Sequence, residues 1–288
     1  MIAYRLADGG PKVRREDQVL WQGAWAAVGL FDALPEDPHF RSSGVPGEHL
    51  FVFPCTSVRI EREGERPFVA DRTTVTFYDP HQVYTRSVVS PRGDRDHWFG
   101  LAPDIFDEIL FETGHRRHGT TFFPFARGAA DLTTYARQNR LVRRLAQARP
   151  ASALAVEEAV LDLATRVLRN AAPARRRETI PTASQRALAE RAMRILAERW
   201  MEPRRLSELA ADLGCRPYHL SRVFRRVTGR TLHAHREQLR LSRALLELDS
   251  RRGDLAALAL DLGYSSHSHF TAAFRRSVGC SPSAWAQR

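Results

Sequence analysis

Lysine is all but missing from this 288-residue chain: Lys12 is the single one, so arginine carries nearly all of its positive charge. Cysteine is scarce too. Cys55, Cys215 and Cys280 are scattered and odd in number, which excludes a disulfide framework, gives no metal-binding spacing and points to a reducing cytosol. No apolar run approaches the length of a membrane span. Met1 to Leu20 places Arg14, Arg15, Glu16 and Asp17 inside any apolar stretch, so neither a signal peptide nor an anchor is expected. In the N-terminal half no His-x-His pair followed by a glutamate occurs. His81 and His97 read as exposed turn histidines, and His115 and His118, flanking Arg116 and Arg117, as a polar loop. With no third ligand in view, no metal or other cofactor is expected.

What is abundant is unevenly spread. The chain holds 44 basic and 33 acidic residues, net +11; residues 182–288 contribute +9 from 19 arginines and 10 acids, leaving +2 for residues 1–181. A basic excess confined to the last third points to a polyanionic partner, because arginines release counterions from phosphate.

One pattern occurs twice in that third. Leu209-Ala-Ala-Asp-Leu-Gly214, Leu220, Phe224-Arg-Arg and Gly229 recur as Leu258-Ala-Leu-Asp-Leu-Gly263, Phe270, Phe274-Arg-Arg and Gly279. The offset is 49 residues up to the first glycine and 50 beyond it, so one residue is inserted in the turn. Each copy reads as a helix-turn-helix: an amphipathic helix (Leu206, Leu209, Ala210, Leu213), a glycine stop, and a second helix, here opened by Pro217. Leu220, Val223, Phe224 and Val227 make the buried stripe of the first copy's second helix. Leu258, Leu262, Phe270, Phe274 and Val278 are the apolar set of the second copy. That leaves Tyr218, Ser221, Arg222, Arg225 and Arg226 outward in one copy and His267, Ser268, Thr271, Arg275 and Arg276 in the other. Leu232 to Leu248, free of Gly and Pro, predicts a connecting helix about 25 Å long, which Asp249 to Gly253 ends.

Gly263-Tyr-Ser-Ser-His-Ser-His-Phe270, Phe274-Arg-Arg and Gly279-Cys-Ser-Pro282 resemble the signature of the AraC/XylS family of bacterial transcription regulators, over about residues 182–288. The resemblance implies two helix-turn-helix subdomains joined by a long helix, DNA binding next to promoters, and recruitment of RNA polymerase. By position it implies base-facing roles for Tyr218, Ser221 and Arg222 and for His267, Ser268 and Thr271; Arg225, Arg226, Arg275 and Arg276 are expected on phosphates. Ala272 and Ala286 stand where the family often has arginine, and Ala272 implies that the second helix reads fewer bases.

The first half has another character. Leu50–Phe53, Ser57–Ile60, Thr73–Tyr78, Val83–Val89 and Trp98–Leu101 read as strands between Glu48 and Phe125, with turns at Asp79-Pro80 and Pro91–Asp94. Short strands at near-even spacing suggest a barrel or sandwich of the jelly-roll or cupin type. This layout is similar to the sensor domain that precedes the DNA-binding part in many AraC/XylS members, and it implies a small-molecule effector in the barrel. Residues 129–171 predict two helices broken at Pro150, one with Leu132, Tyr135, Val142 and Leu145 on a stripe, the other with Leu154, Val160, Leu161, Ala164 and Leu168. They either pack on the barrel or form a dimerisation surface. Ala171 to Ser184, with Pro173, Pro181 and Arg175–Arg177, reads as a linker.

The expected fold class is α+β. Residues 1–128 are a β-rich cupin-like effector domain, 129–171 a helical segment and 172–184 a linker. Residues 185–288 are an all-α DNA-binding domain with helix-turn-helix units at about 206–227 and 255–278. The expected function is a cytoplasmic, sequence-specific DNA-binding regulator, not an enzyme, controlled by an effector. The alternatives are a cupin-like metal-dependent enzyme fused to a DNA-binding domain, and a regulator controlled by a protein partner through residues 129–171.

Overall fold

The computed structural model describes residues 17–37, 40, 42–44, 49–113, 123, 125–147, 153–171, 181–202 and 206–287, and the backbone alone of 42–44 and Tyr218. The chain divides into two compact units, residues 1–130 with 137–173 and residues 131–136 with 174–288.

In the first unit the strands are β1 (Asp17–Gln22), β2 (Ala26–Ala33), β3 (Ser42–Gly44), β4 (His49–Pro54), β5 (Val58–Arg62), β6 (Phe68–Ala70), β7 (Thr74–Tyr78), β8 (Val83–Val88), β9 (Asp94–Leu101) and β10 (Arg127–Ala129). They form a six-stranded sheet, β1-β2-β9-β4-β7-β10, and a four-stranded sheet, β3-β8-β5-β6. Antiparallel pairs nest inside one another: β2 with β9, β3 with β8, β4 with β7, β5 with β6. A long ribbon rolled on itself in this way is a jelly roll. Strand alternation sorts the side chains. Leu50, Val52, Tyr78 and Trp98 cluster with Ala27 on the inward face. Phe51, Phe53 and Phe99 lie on the other face, the rings of Phe51 and Phe99 stacked at 5.0 Å. Ala33 meets Val58, Ile60, Phe68 and Ala70 between the sheets.

Three helices accompany the sheets in sequence: α1 (Pro103–Glu112), α2 (Leu132–Ala146) and α3 (Ala153–Ala171); the division between the units falls within α2.

Several expectations need correction. The stretch 48–125 is not all strand. Pro103 at the first helical turn and Asp104 beside it open α1, whose Phe106, Ile109 and Leu110 recur at helical spacing and are buried. The sheet also begins earlier than Glu48, at β1 and β2. On α3 the buried stripe is Val156, Val160, Leu163, Ala164, Val167 and Leu168; Leu154 is 65% exposed. Leu206 is also largely exposed, at 41%. Asp94 belongs to β9 rather than to a turn, and both ends of the expected linker, Ala171 and Ser184, are helical. His97 is buried, not an exposed turn residue; His81 does sit in a turn, at φ 60°. Pro150, the 115–118 loop, linker residues 172–180 and Arg288 lie outside the described residues.

The second unit continues with α4 (Ala183–Glu198), α5 (Leu206–Asp212), α6 (Pro217–Thr228), α7 (Leu232–Glu247), α8 (Leu255–Asp261), α9 (His267–Val278) and α10 (Pro282–Ala286). Neither α4 nor α10 was expected as a separate helix. The Thr182 side chain accepts from the Gln185 N–H and the Gln185 side chain from the Thr182 N–H, a capping box that starts α4. Ala189, Ala192, Met193 and Leu196 of α4 then pack with Leu209, Leu213, Leu220, Phe224 and Leu239 into the first core. Among the described residues no helix is long and apolar enough to cross a membrane.

Candidate nucleic-acid interface

The two helix-turn-helix units are built by the same local chemistry. Gly214 has φ 66° and Gly263 φ 76°, a left-handed conformation that costs glycine little. After α5 the Gly214 N–H donates to the Ala211 carbonyl (3.0 Å) and the Cys215 N–H to the Ala210 carbonyl (2.9 Å). After α8 Gly263 donates to Leu260 (2.8 Å) and Tyr264 to Ala259 (3.0 Å), so both helices end in the same Schellman motif. The entries to the second helices differ. Pro217 opens α6 without a side-chain cap, whereas the Ser266 hydroxyl accepts from the His269 N–H at 3.1 Å to cap α9. Gly229 and Gly279 close α6 and α9 with N–H bonds to Arg225 and Arg275, both 2.9 Å.

The cores hold these helices by one face. Leu220, Val223 and Phe224 of α6 are buried, as are Phe270, Ala273 and Phe274 of α9. Trp285 of α10 meets Phe274, ring centroids 6.4 Å apart. Between the units α7 is shared: Leu239 belongs to the first core, while the Tyr264 hydroxyl donates to Glu237 of α7 at 3.0 Å. The phenol's ionisation is pushed far up by burial and by that carboxylate, so it stays a donor.

The opposite faces carry the residues singled out in the sequence. On α6, Arg222, Arg225 and Arg226 are exposed and Ser221 is half-buried; the side chain of Tyr218 lies outside the described residues. On α9, His267, Ser268, Ala272, Arg275 and Arg276 are exposed and Thr271 is half-buried. All five α9 residues expected from the sequence border, with Ala272, one open depression of about 670 Å³. Arg225, Arg275 and Arg276 make no ion pair among the described residues, so their charge is available to an anion. Exposed arginines beside small polar side chains on a short helix are what phosphate contact and base-edge contact require.

A polar cluster inside the first unit escaped sequence reasoning. The Arg62 side chain is only 2% exposed, and its guanidinium lies 4.3 Å from the Tyr78 ring centroid. Its Nη1 reaches the Ala126 carbonyl at 3.5 Å, but among the described residues Nε and Nη2 have no hydrogen-bond partner. Nearby Arg86 pairs with Asp94 (2.5 Å), and its guanidinium lies 5.5 Å from the Tyr84 ring, itself 4.7 Å from Tyr78. Burial, with Asp94 beside it, pushes the Asp96 carboxyl well above the usual range, and among the described residues Asp96 Oδ1 also has no partner. The signal was present as alternation: in Val58-Arg-Ile-Glu-Arg62 the period of two sets Arg62 on the face of Val58 and Ile60. Among the described residues no group of three His, Cys, Asp or Glu is placed to hold a metal ion.

The helix-turn-helix domain family matches residues 209–288. Regulatory protein SoxS of Salmonella typhimurium is 34% identical over 87 residues, which are 30% of this chain and 81% of SoxS. The transcriptional activator RhaR of Klebsiella pneumoniae is 30% identical over 109 residues, 38% of this chain but only 39% of RhaR. Among solved structures, the C-terminal domain of AraT, a response regulator from Geobacillus stearothermophilus, overlaps 38% of this chain and 88% of its own at 21% identity, with a TM-score of 0.34. ToxT from Vibrio cholerae overlaps 91% of this chain and 97% of its own at 10% identity, with a TM-score of 0.35. With its duplicated helix-turn-helix and its likeness to most of SoxS, the chain belongs to the AraC/XylS family of DNA-binding transcription regulators.

Proposed function

We propose that the chain reads a specific operator with the outer faces of α6 and α9 and that a small molecule held in the jelly roll controls it. The observation that carries the DNA-reading part is the outer face itself, made twice at a fixed offset on helices that follow the same Schellman turn and bury matching faces. Arg222, Ser221 and Tyr218 meet base edges from α6; His267, Ser268 and Thr271 do so from α9; Arg225, Arg226, Arg275 and Arg276 hold phosphates. The test is binding of the purified full chain to an operator found by footprinting the DNA beside its own gene. Arg222→Ala is expected to lose about 1–3 kcal/mol on that operator and to relax discrimination at one base pair. Equal losses on operator and random DNA would remove Arg222 from the reading set.

The effector part rests on Arg62. A buried guanidinium with two unsatisfied nitrogens costs folding free energy unless something accepts from it. A small molecule with an acceptor oxygen, seated among Tyr78, Tyr84 and Phe68, would supply that partner. Thermal shift of the full chain against a metabolite panel checks this. Compounds that raise the melting temperature of the wild type should fail to raise that of Arg62→Met, and a shift kept by Arg62→Met would place the effector elsewhere. Promoter recruitment of RNA polymerase and pairing of two copies complete the reading on the strength of family membership. The chain acts in it by binding, with no catalytic step.

A further inference from the structure

The helices α6 and α9 are the same object displaced by 50 residues, and their exposure matches position by position from 219–230 to 269–280. Leu220 and Phe270, Val223 and Ala273, and Phe224 and Phe274 are buried as pairs; Ser221 and Thr271 are both half-buried; the two Arg-Arg pairs are both exposed. At the middle of the outer face the copies part. Arg222 stands in one and Ala272 in the other, both exposed. This position therefore faces the same way in each unit but offers a base opposite chemistry.

We infer that the second unit reads thymine methyl groups through the side-chain methyls of Ala272 and Thr271, while the first reads guanine through Arg222. An arginine in the major groove finds its bidentate acceptors on guanine. Alanine has no donor or acceptor, and the one apolar feature a base edge shows there is the thymine C5 methyl. Thr271 adds to this surface. Its Oγ1 lies 3.4 Å from His267 Nε2, one helical turn back, a contact that draws the hydroxyl along the helix, and its γ-methyl adds apolar surface for a base. The depression over α9 is lined by Thr271 and Ala272 together with His267, Ser268, Arg275 and Arg276, which sets the two methyl-bearing residues in one concavity with the cations proposed to hold phosphate. The operator is then chemically asymmetric, with a guanine subsite under α6 and a thymine-methyl subsite under α9, about 10 base pairs apart.

This inference rests on the proposal that both outer faces read DNA, and the experiment separates the two. The full chain selects from a random duplex pool, and the Arg222→Ala chain shows which enriched subsite belongs to α6. Each thymine of the other subsite is then replaced by deoxyuridine, which lacks only the methyl. The expected loss is about fourfold in affinity per contacted methyl, against none for replacements outside the subsites. Ala272→Arg, a change at an exposed helical position, should shift the preferred pair there from A·T to G·C in a fresh selection. Affinity indifferent to deoxyuridine, or a guanine required there by the wild type, overturns the inference and leaves DNA reading standing. A pool in which nothing enriches overturns both.

Discussion

His97 on β9 is buried, with Nδ1 2.7 Å from Oε1 of Gln138 on α2. Burial lowers its pKa to about 4; the Gln138 contact works against that shift and Arg95 reinforces it. The free imidazole titrates near 6.5, so between about pH 6.5 and 4 the unfolded chain binds a proton that the folded chain refuses. The stability His97 contributes is thus whole above pH 6.5 and drains away as pH falls toward 4. Buried Asp94 and Asp96 act in the opposite sense: their carboxyls are raised, so folding gains as pH falls through their range. A comparison cancels them. The stability of the wild type relative to His97→Gln should fall by about 3 kcal/mol from pH 7 to pH 4 in urea unfolding. A difference that does not move with pH would show that the ring is protonated in place.

At the scale of elements, the two turns make a matched pair for experiment. Among the described residues a Cβ on Gly214 would meet nothing within 4 Å, whereas one on Gly263 would lie 3.0 Å from the Met201 carbonyl oxygen and 3.0 Å from Arg240 Nη2. Both glycines are left-handed, so alanine at either costs about 1–2 kcal/mol of backbone strain. Gly263→Ala should cost more than Gly214→Ala, because backbone must also move; equal unfolding midpoints would count against the crowded turn. These helices were legible in the sequence because the pattern occurs twice and each copy carries its own stop signals. The first strands were not, and Gly29 shows why. It lies in β2, where strand propensity argues against glycine, yet a Cβ there would sit 2.2 Å from Cζ2 of Trp98 on the neighbouring strand. Helix α1 was hidden by composition: Ile105, Phe106, Ile109 and Phe111 look like strand residues, and only their spacing after Pro103 makes a helix. Arg62 was hidden by expectation, since alternation gave its face but nothing in the sequence foretold a guanidinium inside the roll.

For the whole molecule, charge is the organising quantity. Residues 182–288 hold +9 of the net +11, and all of it is arginine. Affinity should therefore fall steeply with salt, by close to one unit of log–log slope per phosphate held. Arg226→Ala is expected to weaken operator and random DNA alike and to make that slope shallower by about 0.9, measured by titration at several salt concentrations. A loss confined to the operator would move Arg226 from phosphate to base. The duplicated architecture adds a consequence of its own. Phe224 and Phe274 anchor their helices through buried rings, while Arg222 and Ala272 are exposed. On the proposed reading, recognition is written on exposed positions of two separate helices, so each half of the address can be edited without the other. A chain so built would be retargeted one letter group at a time, by evolution or by hand, each step a change at an exposed position.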